Sequence, residues 1–273
     1  MFKTLASALC AIFLLSLPAI GDQVSKGKLT ASNGKSFPYT LTDAEAGGVT
    51  VVYIGGIGGR GNEVSKIAKS FTSRGLNLVT FDRAEASCSS TKACAAKVAS
   101  RVPSKKLIAS PDGRPTAADD IMKNEIAAIM KFVTSSKSYN EKKGIVLIGG
   151  SYGSWLTLVA TQSKYKSHIK GAVFLSPAIN PAWVSGSKAP KEGVSKYKTL
   201  VRSFSNRKSI AVGSKKDKVF PNVSTLDTST FLSQSLRAKP QVVAVKSSKH
   251  SSKLILGDKG TREVIIGWIA KNF

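Results

Sequence analysis

Six short apolar runs, separated by amphipathic stretches, constrain the fold of this chain more than any other feature of its sequence. Most of the runs are followed directly by glycine, serine or aspartate. Strands that are buried on both faces of a parallel sheet have this near-continuous hydrophobicity, because helices cover both faces. The pattern therefore predicts an α/β fold with a mostly parallel sheet flanked by helices. The predicted parallel strands are 49–54, 76–81, 145–148, 171–175, 209–213 and 241–245.

An antiparallel hairpin opens the predicted sheet and brings the number of strands to eight. Residues 28–42 form two extended stretches around Asn33-Gly34, a dipeptide that favours the positive φ angles of a tight hairpin turn. Amphipathic patterns between the strands predict the covering helices. Right-handed crossovers are expected to place these helices on both faces of the sheet. They are predicted at 62–74, at 117–135, from about Trp155, and at about 261–271.

Residues 1–21 are typical of a secretory signal peptide. Lys3 is followed by an apolar stretch, then by Pro18 and by small residues before Asp22. A membrane anchor is the alternative, but the apolar stretch is shorter than the roughly 20 residues that a spanning helix needs. We therefore expect cleavage before Asp22 and export to the periplasm or the medium. The mature chain, residues 22–273, is expected to form a single domain with no transmembrane segment.

The use of cysteine agrees with export. One of the three cysteines lies in the signal segment, so the mature chain keeps only Cys88 and Cys94, six positions apart in a loop rich in serine and alanine. In an exported chain such a pair is expected to form a small disulfide. A metal site is disfavoured because no histidine or further cysteine lies near the pair. We expect neither a metal nor another cofactor.

One motif in the predicted sheet points to nucleophilic chemistry. The strand at 145–148 is followed at 149–153 by GGSYG, a G-x-S-x-G sequence that precedes a predicted helix. In this context the serine lies on a sharp turn between strand and helix, and the glycines relieve crowding around the strained backbone. Ser151 is therefore the candidate nucleophile.

A serine nucleophile needs a base and an acid at the same edge of the sheet. His250 lies five residues after the last predicted strand and is the candidate base, whereas His168 precedes a strand and is expected on the surface. Asp217 follows the strand at 209–213 and is the candidate acid that orients the imidazole. Asp227 is the backup acid, and we expect it instead to cap a helix.

The oxyanion that forms during acyl transfer needs hydrogen-bond donors. The strand at 49–54 ends in a glycine cluster, and the backbone amides of Ile57 and Tyr152 are the predicted oxyanion hole. The glycine cluster fits neither the dinucleotide-binding nor the Walker pattern, which disfavours a nucleotide site. Arg60, beside this turn, is a further candidate for a contact with a substrate carboxylate.

The order of these features resembles the α/β-hydrolase family. The features follow the same order as in that family over nearly the whole mature chain: the hairpin, the glycine-rich turn, Ser151 on its strand-to-helix turn, and then Asp217 and His250. The resemblance implies an acyl-enzyme on Ser151 and hydrolysis of an ester, thioester or amide. Many members have His-Gly where this chain has Gly55-Gly56; this departure removes no catalytic group and leaves the subfamily open.

The net charge is the most unusual feature of the composition. The chain has 41 Lys+Arg against 16 Asp+Glu, a net charge of +25. Such charge attracts anionic solutes and surfaces, although solvated lysines on an ordinary surface have the same composition. Residues 181–218 alone hold ten basic and two acidic residues. The segment 177–208, where relatives carry a lid, is short, so we expect a small cap or none, and a basic mouth that favours anionic substrates.

The sequence thus predicts an exported serine hydrolase that cleaves a carboxylic ester of a small molecule or a lipid. An amidase or peptidase with the same triad is one alternative. A non-catalytic protein of the same fold that binds anionic surfaces through its charge is another. Specific nucleic-acid binding is not expected, because the chain has no recognised module and few aromatic residues.

Overall fold

The computed structural model describes residues 23–44, 47–56, 60–83, 121–179, 199–201, 204, 207–220 and 222–273. Several predictions lie outside the described residues. They are the signal peptide at 1–21, the Cys88–Cys94 disulfide, the oxyanion-hole residue Ile57 and most of the basic segment 177–208.

Ten strands are found in the described part of the chain, eight of them in one sheet. The spatial order of that sheet is β1-β2-β4-β3-β5-β6-β7-β10, while β8 and β9 form a separate small hairpin. The strands are β1 (Gln23–Thr30), β2 (Ser36–Asp43), β3 (Val49–Ile54), β4 (Leu76–Phe81), β5 (Ile145–Gly150), β6 (Ile169–Leu175), β7 (Lys208–Ser214), β8 (Lys218–Phe220), β9 (Val223–Ser224) and β10 (Gln241–Val245).

The predicted mostly parallel, eight-stranded sheet with an antiparallel N-terminal hairpin is confirmed. Only the pairs β1–β2 and β2–β4 run antiparallel in the large sheet. All other neighbours, from β4–β3 through to β7–β10, are parallel. The turn between β1 and β2 has Gly34 at φ +77°, as the Asn-Gly dipeptide predicted. The carboxyl ends of β3, β5, β6, β7 and β10 therefore share one edge, where ligands bind in sheets of this kind.

Helices cover both faces of the sheet. They are α1 (Ala68–Thr72), α2 (Ala127–Thr134), α3 (Gly153–Ala160), α4 (Thr225–Ser235), α5 (Ser252–Gly257) and α6 (Lys259–Asn272). Alternate residues of β3 point to opposite faces: Val52 and Ile54 join the core that α2, α3 and α4 cover, and Val51 and Tyr53 join the core under α1, α5 and α6. This two-sided burial explains why the strands read as continuous apolar runs. None of the described helices is long and apolar enough to cross a membrane.

Two predicted helices depart from regular geometry. The helix predicted at 62–74 begins as the 3₁₀ segment Gly61–Ile67 and becomes α-helical only in α1. A Cβ on Gly61 would collide with the carbonyl oxygen of Phe81, so the chain passes unusually close to the end of β4 before the helix forms. The helix predicted at 117–135 is described from residue 121, and it opens with the π-helical segment Met122–Ile126.

The π-helical segment carries a buried acid that periodicity did not predict. Glu125 is 3% exposed, and its carboxylate lies 3.4 Å from the guanidinium of Arg83, which is 2% exposed. Buried charges are tolerated when they are paired, because solvation is lost on burial. This ion pair ties the start of α2 to the residue two positions beyond β4.

Candidate active site

Ser151 occupies the turn between β5 and α3 in a strained conformation. Its φ angle is +54°, in the left-handed region that non-glycine residues rarely adopt. Its amide donates to the carbonyl oxygen of Leu175 at 2.9 Å, and its carbonyl accepts from the amides of Ser154 and Ala178. These backbone bonds hold the turn on both sides, which is the geometry predicted for the G-x-S-x-G sequence.

The glycines of this turn are required by close contacts. A Cβ on Gly149 would lie 2.5 Å from the carbonyl oxygen of Gly153, and a Cβ on Gly153 would collide with that of Ile54. Because α3 begins so close to the ends of β3 and β5, only glycine fits at both positions. The end of β3 also lies directly against the nucleophile, since a Cβ on Gly56 would be 3.0 Å from the Cβ of Ser151.

Asp217 and His250 are brought together as a pair. The Nδ1 atom of His250 lies 2.8 Å from Oδ2 and 3.1 Å from Oδ1 of Asp217. The side chain of Asp217 is 5% exposed, whereas the imidazole is 37% exposed. The arrangement leaves Nε2 of the imidazole on the side away from the carboxylate, which is the orientation that a histidine base needs.

The carboxylate partner is held by the start of α4. The amide of Thr225 donates to the carbonyl oxygen of Asp217 at 2.8 Å, and the hydroxyl of Thr225 accepts from the amide of Ser214 at 2.8 Å. A Cβ on Gly213 would collide with the backbone carbonyl of Thr225, so helix and strand meet closely here. The loop that carries Asp217 is thus fixed at both ends.

The nucleophile and the base lie on neighbouring backbone segments. A Cβ on Gly150, the residue before Ser151, would collide with the hydroxyl of Ser251, the residue after His250. The side chains of Ser151 and His250 are both described, and no hydrogen bond joins the hydroxyl of Ser151 to the imidazole of His250 in this structure. Catalytic hydrogen bonds of ligand-free enzymes are often long and tighten when substrate binds.

A buried polar network beneath the base was missed by the sequence reasoning. Tyr53 on β3 is fully buried, and its hydroxyl lies 3.4 Å from the hydroxyl of Ser251. The amide of Ser251 in turn donates to the hydroxyl of Ser176 at 3.2 Å, next to the end of β6. Ser176 and Ser251 both have positive φ angles, +48° and +51°. Burial raises the pKa of Tyr53 to about 12, so its hydroxyl stays protonated as a donor.

Two other residues that the sequence singled out have structural contacts, and the contact of Arg60 with a substrate carboxylate stays a prediction. Asp227 completes a capping box with Ser224 at the start of α4, and the hydrogen bonds from Ser224 lower the pKa of its carboxyl. His168 is partly buried, and its Nδ1 lies 2.7 Å from the hydroxyl of Tyr139. The backbone of Arg60 pairs with that of Asp82, whose own pKa is raised chiefly by burial.

The structure describes one of the two residues that are predicted to form the oxyanion hole. Tyr152 directly precedes α3 and its side chain is 1% exposed, so the residue is held by packing beside Ser151. Its backbone amide lies at the N-terminal end of α3, where unpaired amide groups favour negative charge. Ile57, the other predicted donor, follows Gly56 outside the described residues.

The surroundings of the histidine–aspartate pair are strongly basic. Six exposed lysines lie within four residues of Asp217 or His250 in the sequence, and no carboxylate other than Asp217 does. They are Lys215, Lys216, Lys218, Lys246, Lys249 and Lys253. In the part of the chain that the structure describes, no group of three or more His, Cys, Asp or Glu residues is arranged to hold a metal ion. The site therefore offers an acid–base pair in a positive field.

No protein-family model matches the chain, and no curated protein matches its sequence. Solved structures do match over nearly its whole length. A predicted CIB-like hydrolase from Thermoplasma acidophilum is 14% identical, with a TM-score of 0.60 over 92% of this chain and 100% of its own. The α/β hydrolase GrgF from Penicillium sp. sh18 is 15% identical, with a TM-score of 0.61 over 91% of this chain and 98% of its own. The Pyrococcus furiosus esterase Pf2001 is 15% identical, with a TM-score of 0.58, and the match covers 92% of this chain and 93% of that one. These likenesses show that the chain has the α/β-hydrolase fold.

Proposed function

We propose that this protein is a serine hydrolase that cleaves carboxylic esters through an acyl-enzyme on Ser151. The observation that carries the proposal is the Asp217–His250 pair at the same sheet edge as Ser151. The residues next to the serine and the histidine, Gly150 and Ser251, lie against each other. Structures with the same fold include esterases, among them Pf2001 and a cold-adapted esterase from an Arctic metagenomic library. A fold hosts many chemistries, so the side chains of the site are the stronger support.

The proposed reaction has two acyl-transfer steps. The hydroxyl oxygen of Ser151 attacks the ester carbonyl carbon, and its proton passes to Nε2 of His250. The tetrahedral oxyanion accepts hydrogen bonds from the Tyr152 and Ile57 amides and then collapses. The alcohol leaves with the proton from His250. Water then attacks the acyl-serine and gives its proton to His250. As the second tetrahedral intermediate collapses, His250 returns the proton to the oxygen of Ser151 and the acid leaves.

We further propose that the preferred esters are anionic. The six lysines around Asp217 and His250 create a positive field at the mouth of the site, and such fields raise the local concentration of substrates of opposite charge. Export through the segment 1–21 belongs to the same proposal, since an exported basic enzyme meets the anionic components of cell envelopes.

The direct test compares hydrolysis of a neutral and an anionic ester that share a leaving group. Suitable substrates are p-nitrophenyl butyrate and the mono-p-nitrophenyl ester of succinate. Replacement of Ser151 by alanine is expected to reduce kcat/KM for both by about 10⁴-fold or more. Ser73→Ala, at an exposed serine, is the matched control and should leave the rate unchanged.

Each outcome of this test separates the alternatives. Equal rates of hydrolysis by wild type and Ser151→Ala would exclude the acyl-enzyme on Ser151, and no hydrolysis by the folded wild type would favour a protein that only binds. If the wild type also hydrolyses an amide, and Ser151→Ala loses that activity together with the ester activity, the proposal widens to amidases. A kcat/KM for the succinate ester that does not exceed that of the butyrate ester, and that does not fall with added salt, would overturn the preference for anions.

A further inference from the structure

A concave surface is formed by residues outside the loops that carry Ser151, Asp217 and His250. It is a groove of about 610 Å³ between the side of α2, the end of β1 and the turn that follows α3. This volume lies within the range of pockets that hold small organic ligands. None of the residues that line it belongs to the candidate active site.

The floor of the groove is apolar. Leu29 from β1, Phe132 from α2 and Tyr165 after α3 line it, and all three side chains are partly or fully buried. The groove follows α2 and its π-helical start from Lys123 to Ser135, about 18 Å at the rise of a helix. An extended alkyl chain can lie along a groove of this length, and burial of its methylenes against Leu29, Phe132 and Tyr165 is favourable.

The rim of the groove is positive. Lys123, Lys131 and Lys164 line it, and no carboxylate does so among the described residues. The three ammonium groups make no ion pair within the described part of the chain, and that of Lys164 lies 5.3 Å from the centre of the Tyr165 ring. Lysines of this kind lay their methylene stems along apolar surface and keep the charge at the edge.

We propose that this groove binds the anion of a single-chain fatty acid. The alkyl chain lies along α2 over Phe132 and Leu29, and the carboxylate lies at the rim among the lysine ammonium groups. A neutral lipid would leave the three cations without a partner, and a flat membrane surface would not reach a concave floor. Charge complementarity and the elongated apolar floor therefore point to the same occupant.

The test is calorimetric titration of the full protein with sodium dodecanoate below its critical micelle concentration. Octanoate and dodecyltrimethylammonium are titrated under the same conditions. We expect dodecanoate to bind, with affinity rising up to about fourfold for each methylene added between octanoate and dodecanoate. The cation has the same chain with the opposite charge and is expected not to bind.

Variants separate this groove from the candidate active site, which also accepts acids if the proposed function holds. The triple change Lys123→Glu, Lys131→Glu and Lys164→Glu is expected to weaken dodecanoate binding by about tenfold or more. Its matched control reverses three exposed lysines elsewhere, Lys66, Lys142 and Lys259, and should change the affinity by less than about twofold. Ala128→Trp fills the groove without changing the charge, and it should also abolish binding in a protein whose circular dichroism spectrum is unchanged.

Three results would overturn the proposal. The first is no heat of binding with dodecanoate, and the second is equal affinity for the cationic amphiphile. The third is binding that survives both groove variants, which would assign the acid to another site. Binding to phosphatidylglycerol vesicles without binding to monomeric dodecanoate would likewise replace the groove by a membrane-facing surface.

Discussion

The nucleophile and its proton relay lie on the same edge of one sheet, but different forces hold them. Ser151 follows β5, near the centre of the sheet. Its turn is fixed by backbone hydrogen bonds and by close backbone contacts at positions where only glycine fits. Asp217 and His250 follow β7 and β10, the last two strands at one side. Strand β10 is partly exposed along its length, and six exposed lysines lie within four residues of Asp217 or His250 in the sequence.

This contrast indicates which conditions each half responds to. Steric contacts between buried backbone groups are insensitive to pH and salt, so the nucleophile turn is rigid until the sheet itself unfolds. The relay depends on ionisable groups and on a few polar contacts, which respond to both. Mutations of the glycines that pack around the Ser151 turn are therefore expected to act on stability, and mutations of the ionisable groups of the relay on rate.

The largest expected effect separates the two aspartates of the relay half. Asp217→Asn keeps the shape of the side chain and removes its charge, so the imidazole loses its orientation and kcat/KM should fall by about 10⁴-fold. Asp227→Asn is the matched control, because Asp227 only caps α4. It should keep full activity and lose a little stability, above all at neutral pH. The lowered pKa of Asp227 stabilises the fold above the ordinary carboxyl pKa, and this contribution disappears as the pH falls. Equal loss of rate in both variants would contradict the assignment.

The next effect concerns the rigid half. Gly153→Ala places a methyl group against the carbonyl oxygen of Ile54, so the start of α3 must move, at a cost of about 1–3 kcal/mol in the free energy of unfolding. Gly260→Ala in α6 is the control, since the added methyl meets only the side chain of Asp258 at 3.5 Å. That change should stabilise the protein by about 0.5–1 kcal/mol. Urea denaturation of both variants measures the difference, and a Gly153→Ala protein as stable as the wild type would refute the packing argument.

The buried hydroxyl of Tyr53 joins the two halves, and its effect on stability depends on pH. Because burial raises its pKa to about 12 from an ordinary value of about 10, the folded protein keeps the proton that the unfolded chain releases. Its contribution is complete below pH 10 and is lost as the pH rises towards 12, in total about 3 kcal/mol. Tyr53→Phe should remove this loss, so the stability of the wild type should fall relative to that of the variant between about pH 10 and pH 12.

The same substitution tests whether Tyr53 positions the base. Without the contact to Ser251, the loop that carries His250 is less well fixed, and kcat should fall by about tenfold with KM nearly unchanged. Tyr53→Phe with a normal kcat would reduce Tyr53 to a packing residue. Tyr39→Phe, at a tyrosine that stacks on Phe132 instead, is the control for loss of a hydroxyl.

The smallest expected effect concerns the lysines. Lys216→Glu with Lys253→Glu should lower kcat/KM for an anionic ester by about three- to tenfold at low salt and leave that for a neutral ester unchanged. The difference should vanish near 1 M salt, where the screening length is about 3 Å. Lys142→Glu with Lys259→Glu makes the same change of charge at exposed lysines elsewhere in the chain. An equal effect from that pair would mean that only the net charge matters.

The fold, and the placement of the candidate site residues at one sheet edge, were predictable because they leave local signals. Buried strands read as apolar runs, and the G-x-S-x-G spacing reports the close contacts of Gly149 and Gly153 directly. The pairing of Asp217 with His250 was predictable from strand order alone, since both follow parallel strands at one edge. The expectation that Asp227 caps a helix, rather than serving as the acid of the relay, agrees with its capping box at the start of α4.

Other features depend on contacts between distant segments. Tyr53 lies in an apolar run, and nothing in that run indicates that its hydroxyl reaches Ser251, 198 positions away. The Arg83–Glu125 ion pair and the π-helical start of α2 have the same character, because a buried charge looks like a surface residue in a helical pattern. The groove along α2 is formed by three separated elements, so no single stretch of sequence predicts it.

The central claim is that Ser151 is a nucleophile activated by His250, and one measurement tests it most directly. The purified protein is treated with a fluorophosphonate probe, and the adduct is located by mass spectrometry. The account predicts a single modification at Ser151 that is lost in His250→Ala while the variant stays folded. Absence of labelling in the folded wild type, or equal labelling of Ser151 in His250→Ala, would contradict it.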